Sequence, residues 1–283
     1  NTALATIDPA ANFGESATNV NFTFAFRTSG LTELPAGLDM SKGSTFASTF
    51  RECSSLATIG TGVLLGTAST SVDFTEAFRA SGLTALPAGL DMSQGDTFVN
   101  TFQDCSSLAT IGTGVLLGTA NATATVNFAY AFYYSGLTAL PAGLDMSQGS
   151  TFQSAWQSCT SLTTIGTGVL LGTASSNVSF QNAFYLSGLT ALPAGLDLSQ
   201  GSAFVSAFYG CASLTTIGSG VLLGTANATA TVNFQDTFHA SGLTELPAGL
   251  DLSKGNTFAG AFQNCGSLAT IGSGVLLGTA STS

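Results

Sequence analysis

The chain repeats itself, and the period limits the folds open to it more than any other property. The block SGLTELPAGLDMSKGSTF begins at Ser29, and close copies begin at Ser81, Ser135, Ser187 and Ser241. Its prolines, Pro35, Pro87, Pro141, Pro193 and Pro247, stand 52, 54, 52 and 54 residues apart. The cysteines of a second block, Cys53, Cys105, Cys159, Cys211 and Cys265, keep the same steps. The two additional residues always enter at one place, where the ASTSVDF of 68–74 becomes the ANATATVNF of 120–128, which marks a surface loop. A fixed period of this size is the signature of stacked units that cannot bury an apolar face alone.

Each unit divides into two similar halves of about 26 residues, consistent with the repeat lengths of solenoids. Every half carries a Leu-x-x-Ile/Leu core, eleven of them from Leu4/Ile7 to Leu268/Ile271. Between these lie aromatic i,i+4 pairs such as Phe22/Phe26, Phe74/Phe78, Phe152/Trp156 and Phe258/Phe262. An i,i+4 pair shares one face of an α-helix, and residues suited to capping, as in Gly95-Asp96-Thr97, precede the pairs. The spacing therefore predicts a short strand, a turn anchored by Leu and Val, and a helix of about two turns per half-repeat. The expected fold class is an α/β solenoid, a right-handed stack of about eleven coils of ~26 residues, with a parallel sheet on one face and short helices on the other. Residues 1–28, which include Ile7-Asp8-Pro9-Ala10-Ala11-Asn12-Phe13, read as an atypical first coil and partial cap, and 29–283 as the solenoid.

The pattern Phe50-x-x-Cys53-x-x-Leu56-x-x-Ile59 and its copies resemble the BspA type of leucine-rich repeat found in bacterial and protist surface proteins and phage tail fibres. The resemblance spans about Leu4 to Leu277. The chain departs from it where alternate coils replace Cys by Ser-Gly (Ser81-Gly82) and in the local turn VLLGTA. It implies an extracellular, cell-surface or virion-fibre setting and an adhesive or structural role without catalysis. The implied partners are a host-surface glycan or protein receptor, or copies of the chain end to end.

Composition narrows the alternatives. Only 7% of residues are charged and the net charge is −10, with 5 Lys+Arg, so the cationic footprint of a nucleic-acid binder is missing. The longest apolar runs are pieces such as Val115-Leu116-Leu117, far below the ~20 residues of a membrane helix, so membrane insertion is not expected. The five cysteines recur once per two coils, an expected separation of ~9–10 Å that is too long for disulfides. They read as buried free thiols. No metal or other cofactor is implied, since no cysteine has a His or second Cys near it in sequence.

Three columns are candidates for function. The residue after each second aromatic varies from Arg27, Arg51 and Arg79 through Gln103 to Tyr133, Tyr185, Tyr209 and His239. Stacked amphipathic rings there could bind sugar rings, or could simply shield the wall's edge. The outward strand positions, including Thr110, Thr138, Thr163, Thr164, Thr190, Thr215 and Thr216, form a flat uncharged Thr/Ala face, similar to those of ice-binding solenoids and also ordinary for an exposed sheet. Asp39, Asp91, Asp145, Asp197 and Asp251 recur too sparsely for a calcium ladder and are expected to hydrogen-bond within turns. Asn-x-Ser/Thr sequons stand at Asn21, Asn121, Asn177 and Asn227. The chain opens inside a repeat with no signal peptide expected, and its last coil stops at Thr282-Ser283 with the expected strand laid down and no helix following. The expectation is a processed or truncated chain, or a subunit of an open filament formed by end-to-end docking.

Overall fold

The computed structural model describes residues 3–11, 13, 18–121, 123–227 and 231–278. The repeat folds as expected into one stack of parallel coils, and its axis is marked by aromatic rings. The first residues of the aromatic pairs form one column, Phe22 to Phe258, with successive ring centroids 5.0–5.4 Å apart. The second residues form another, Phe26 to Phe262, at 4.9–6.3 Å. All of these contacts are face to face. Leu31, Leu34, Leu38, Met40, Leu56 and their repeats pack beside the rings in one continuous buried cluster. Burying a Leu or Phe contributes about 1.5–3 kcal/mol, and each coil gains this only by covering its neighbours.

Three parallel ladders surround the core, each built from strands of two or three residues. The longest joins ten strands, from Val20–Asn21 through Gly43–Thr45 and Val72–Asp73 to Gly255–Thr257. In alternate coils it carries one more residue, so Asp96 of Gly95–Thr97 bulges opposite Val72–Asp73. Gly95 opens that strand because a Cβ there would lie 2.4 Å from Phe98 Cζ. A second ladder runs through the Leu-x-x-Ile segments, pairing Glu33–Leu34 with Thr58–Ile59 and Ala85–Leu86 with Thr110–Ile111. A third pairs Asp39–Met40 with Leu64–Leu65 and continues to Asp91–Met92 and Leu116–Leu117. The sheet is therefore not confined to one face: strands line three sides of each coil.

The fourth side corrects the expected helices. Among the described residues there is no α-helix; the aromatic pairs lie on a wall of consecutive turns. The N–H groups of Phe74, Glu76, Phe78 and Ala80 donate to the carbonyls of Thr97, Val99, Thr101 and Gln103 in the next coil, at 2.8–3.0 Å. Those of Ala77, Arg79 and Ser81 fold back on Phe74, Glu76 and Phe78, at 3.0–3.1 Å. Half of the donors thus tie coil to coil. The path needs a left-handed residue between the rings, Glu76 (φ 54°), and another after them, Ala80 (φ 53°). The physical reason is width. An α-helix with its side chains is about 10–12 Å across, twice the coil spacing, and would keep its hydrogen bonds to itself.

The coil count is also lower than expected. Ten strands make the longest ladder. Leu4 and Ile7 form no strand, although both pack on the core and Ala5 O accepts from Thr32 N–H at 3.3 Å. Parts of the expected 1–28 cap (1–2, 12 and 14–17) lie outside the described residues, as do 122 and 228–230 in two of the extended loops and 279–283.

All five cysteines are free, and four are buried. They alternate along one column with serines: Ser81 Oγ lies 3.4 Å from Cys105 Sγ, whose S–H donates to Phe78 O at 3.1 Å. Burial pushes the thiols of Cys105, Cys159 and Cys211 up to about 11, against the opposing pull of their serine partners. No helix of the described residues is long and apolar enough to cross a membrane.

Candidate functional site

The acidic column is occupied by turn chemistry. Asp39, Asp91, Asp145, Asp197 and Asp251 each accept, through Oδ1, the N–H of the serine two residues on, at 2.8–2.9 Å. Thr110, Thr138, Thr163, Thr164, Thr190, Thr215 and Thr216 are all exposed, in the strands of the second ladder or immediately before them. They fall in two columns. The hydroxyls of Thr138, Thr163, Thr190 and Thr215 donate to the carbonyl one coil back, at 3.2–3.4 Å. The other column alternates Thr110, Thr164 and Thr216 with Ala139 and Ala191; exposed Glu33 starts it, and exposed Glu245 interrupts it one coil before Thr270. Of the sequon asparagines, Asn227 is buried, with its amide donating to Asn177 Oδ1 at 3.2 Å.

The turn wall is where the coils differ. Beneath it the Phe, Leu and Cys/Ser columns barely change, because every ring must stack on a like ring. The wall's outward positions have no such partner and diverge. Between the rings the residues read Phe24, Ser48, Glu76, Asn100, Tyr130, Ser154, Asn182, Ser206, Asp236 and Gly260, of which Ser48 and Ser154 are buried. After the second ring the column expected to bind ligand runs from Arg27 to Gln263.

Three zones result. In the first coils, Arg27 pairs with Glu52 at 3.3 Å, Arg51 with Glu52 at 3.1 Å and Glu76 at 2.5 Å, and Arg79 with Glu76 at 2.7 Å and Asp104 at 3.7 Å. Burial alone would raise the Glu76 carboxyl, but hydrogen bonds from Arg79 and Ser48 and the charge of Arg51 hold it below its ordinary value. In the last coils, Tyr185, Tyr209 and His239 stack at 4.9 and 4.5 Å, within 13° of parallel. His239 Nε2 lies 3.1 Å from Asn264 Nδ2, while its Nδ1 lies 3.5 Å from Asp236 Oδ1 without hydrogen-bond geometry.

Between these zones lies the third. Tyr130, Tyr133 and Tyr134 meet edge to face, at 5.7 Å (66°) and 4.8 Å (71°). Beside them opens a cavity of about 520 Å³ lined by Val99, Asn100, Gln103, Asn127, Ala129, Tyr130 and Tyr133. Burial, helped by the neighbouring Tyr134, Asp104 and Tyr130, holds the Tyr133 phenol above its ordinary value.

The chain is a solenoid of parallel coils that repeat leucines and aromatic rings at fixed positions. No family model and no curated protein matches it. Among solved structures, it is similar to a leucine-rich cell surface protein from Faecalibacterium prausnitzii A2-165, at 17% identity over 86% of this chain and 59% of that one, TM-score 0.32. It is also similar to a leucine-rich repeat protein from Bacteroides ovatus ATCC 8483, at 15% identity over 96% of this chain and 81% of that one, TM-score 0.31. The chain thus spans a little under two thirds of the first neighbour's length. The solenoid architecture follows from the chain's own parallel ladders and continuous core.

Of the four residues expected to form one aromatic stripe, the structure brings three together. Tyr185, Tyr209 and His239 share a stack, whose interior faces cover one another and whose edges remain for a ligand. Tyr133 stands apart, separated from Tyr185 by the Gln157 coil, and belongs to the cavity. Asn100 and Asn127 escaped the sequence reading, and their meeting with Gln103 and Tyr130 was hidden, because the four come from adjacent coils and from different columns. The one visible signal was Tyr130, an aromatic at a position between the rings that most coils give to Ser, Asn or an acid.

Proposed function

We propose that this chain is a non-enzymatic recognition module of the extracellular surface, in which the stacked coils are a rigid scaffold and the turn wall is the binding face. The observation that carries the reading is the contrast within one repeat: buried columns are nearly uniform, while the outward wall positions change from ionic to aromatic along the stack. Adhesion to a host-surface glycan or protein receptor is the role this arrangement suits.

The test is adhesion of beads carrying the purified chain to mucin-coated and epithelial surfaces. A variant with Tyr130, Tyr133, Tyr185, Tyr209 and His239 all changed to Ser is expected to lose retention while keeping its melting temperature within a few degrees. Retention unchanged in a folded variant would end the assignment of the wall as the binding face.

A further inference from the structure

We propose that the cavity beside Tyr130 and Tyr133 binds an uncharged saccharide. The proposal rests on the recognition reading above and names the ligand class of one place on the wall. Its volume of about 520 Å³ is in the usual range of ligand sites, about 300–1,000 Å³. The decisive property is the kind of hydrogen bonding left over once internal contacts are satisfied. Asn127 Oδ1 is taken by Ala129 N–H at 2.9 Å, so its amide N–H groups are free to donate. Gln103 Nε2 donates to Asp104 Oδ2 at 3.1 Å, so its carbonyl oxygen is free to accept. Tyr130 Oη accepts from Gln153 Nε2 at 3.3 Å and keeps its own proton to donate. Donors and acceptors interleaved around aromatic rings suit hydroxyl groups, which do both, on a ring whose C–H face packs against a phenol.

Charged ligands fit less well. No Lys or Arg lines the cavity, and Arg79 is committed to Glu76 and Asp104. The chain's net charge of −10 further opposes an anion. A quaternary ammonium needs a gap between ring faces, whereas Tyr133 is already in edge-to-face contact with both Tyr130 and Tyr134. The stacked Tyr185, Tyr209 and His239 cover one another's faces and make no comparable seat.

The experiment is saturation-transfer NMR on the folded chain with lactose, maltose and cellobiose, alongside 3′-sialyllactose and phosphocholine. Binding of at least one neutral disaccharide is expected. It should weaken about tenfold or more in Tyr133→Ala and in Asn100→Gly, the latter keeping the left-handed backbone at that position (φ 56°), and stay unchanged in Glu245→Gln, an exposed position on the second ladder. Thermal melts verify that each variant is folded. Binding confined to sialyllactose or phosphocholine, neutral binding indifferent to Tyr133→Ala, or no saccharide binding at all would each overturn the proposal. Those failures are distinct from failure of the recognition reading, which stands or falls on the wall-wide Ser variant in the adhesion assay.

Discussion

If the ring columns hold the coils together, the same substitution should cost very different amounts at different heights in the stack. Phe180 is fully buried, with Phe152 at 5.4 Å on one side and Phe204 at 5.3 Å on the other. Phe180→Ala removes both contacts and leaves a cavity that flanking rings cannot fill without breaking their own stacking, so about 3–5 kcal/mol should be lost. Phe258, in the last coil, is only partly buried and stacks on Phe234 alone, at 5.3 Å. Phe258→Ala should cost about 1–2 kcal/mol, part of one burial and one ring contact. The assay is urea unfolding at constant pH, followed by far-UV circular dichroism and by the fluorescence of Trp156. That residue is the chain's one tryptophan, and it packs 4.9 Å from Phe184. Nearest-neighbour coupling in a solenoid adds a second expectation: the central lesion should broaden or split the transition, while the terminal one should trim it. Equal losses at the two positions, or a central loss below about 1 kcal/mol, would refute the column as the source of cohesion.

Other consequences are open to direct measurement. Gly112→Ala should destabilise the fold by more than Gly89→Ala, because a Cβ at Gly112 would lie 2.4 Å from Ala88 N whereas Gly89 faces open space and meets only the strain of its φ of +71°; chemical denaturation midpoints compare them, and the reverse order would contradict the packing. Glu76 has a folded-state pKa below its unfolded one, so its stabilisation is present above the ordinary value of 4.5 and is lost as pH falls through the lower, folded value. Glu76→Gln should therefore lower the midpoint at pH 7, and its gap from the parent should narrow as the pH falls below the ordinary value of 4.5; a constant gap down the acid limb would refute the ion-pair account. The thiols of Cys105, Cys159 and Cys211, pushed up to about 11, should resist an aromatic disulfide reagent at pH 8 in the native state. Partly exposed Cys265 should react ahead of them, and all five should react in denaturant; rapid native labelling of the buried column would show that it is not sealed.

The repeat arithmetic told which residues share a column, because stacking requires like on like: the leucines, rings, cysteines and aspartates all landed together, and Asp39 and its copies do the turn bonding expected of them. Tyr133 was grouped with Tyr185 by column, and the structure separated them, since ring contacts depend on what the intervening coil carries, here Gln157. The cavity beside Tyr130 was not legible, since its lining comes from positions 24–34 residues apart that meet only when coils stack.

What the sequence determined by itself was the period, the membership of the core and the parallel stacking, all of which follow from which side chains must be hidden from water. What only the tertiary structure decided was the backbone path of the wall. Phe-x-x-x-Phe places both rings inward in an α-helix and in a pair of turns alike. With the neighbouring coil about 5 Å away, there is no room for a helix, and the freed N–H groups find their acceptors across the gap.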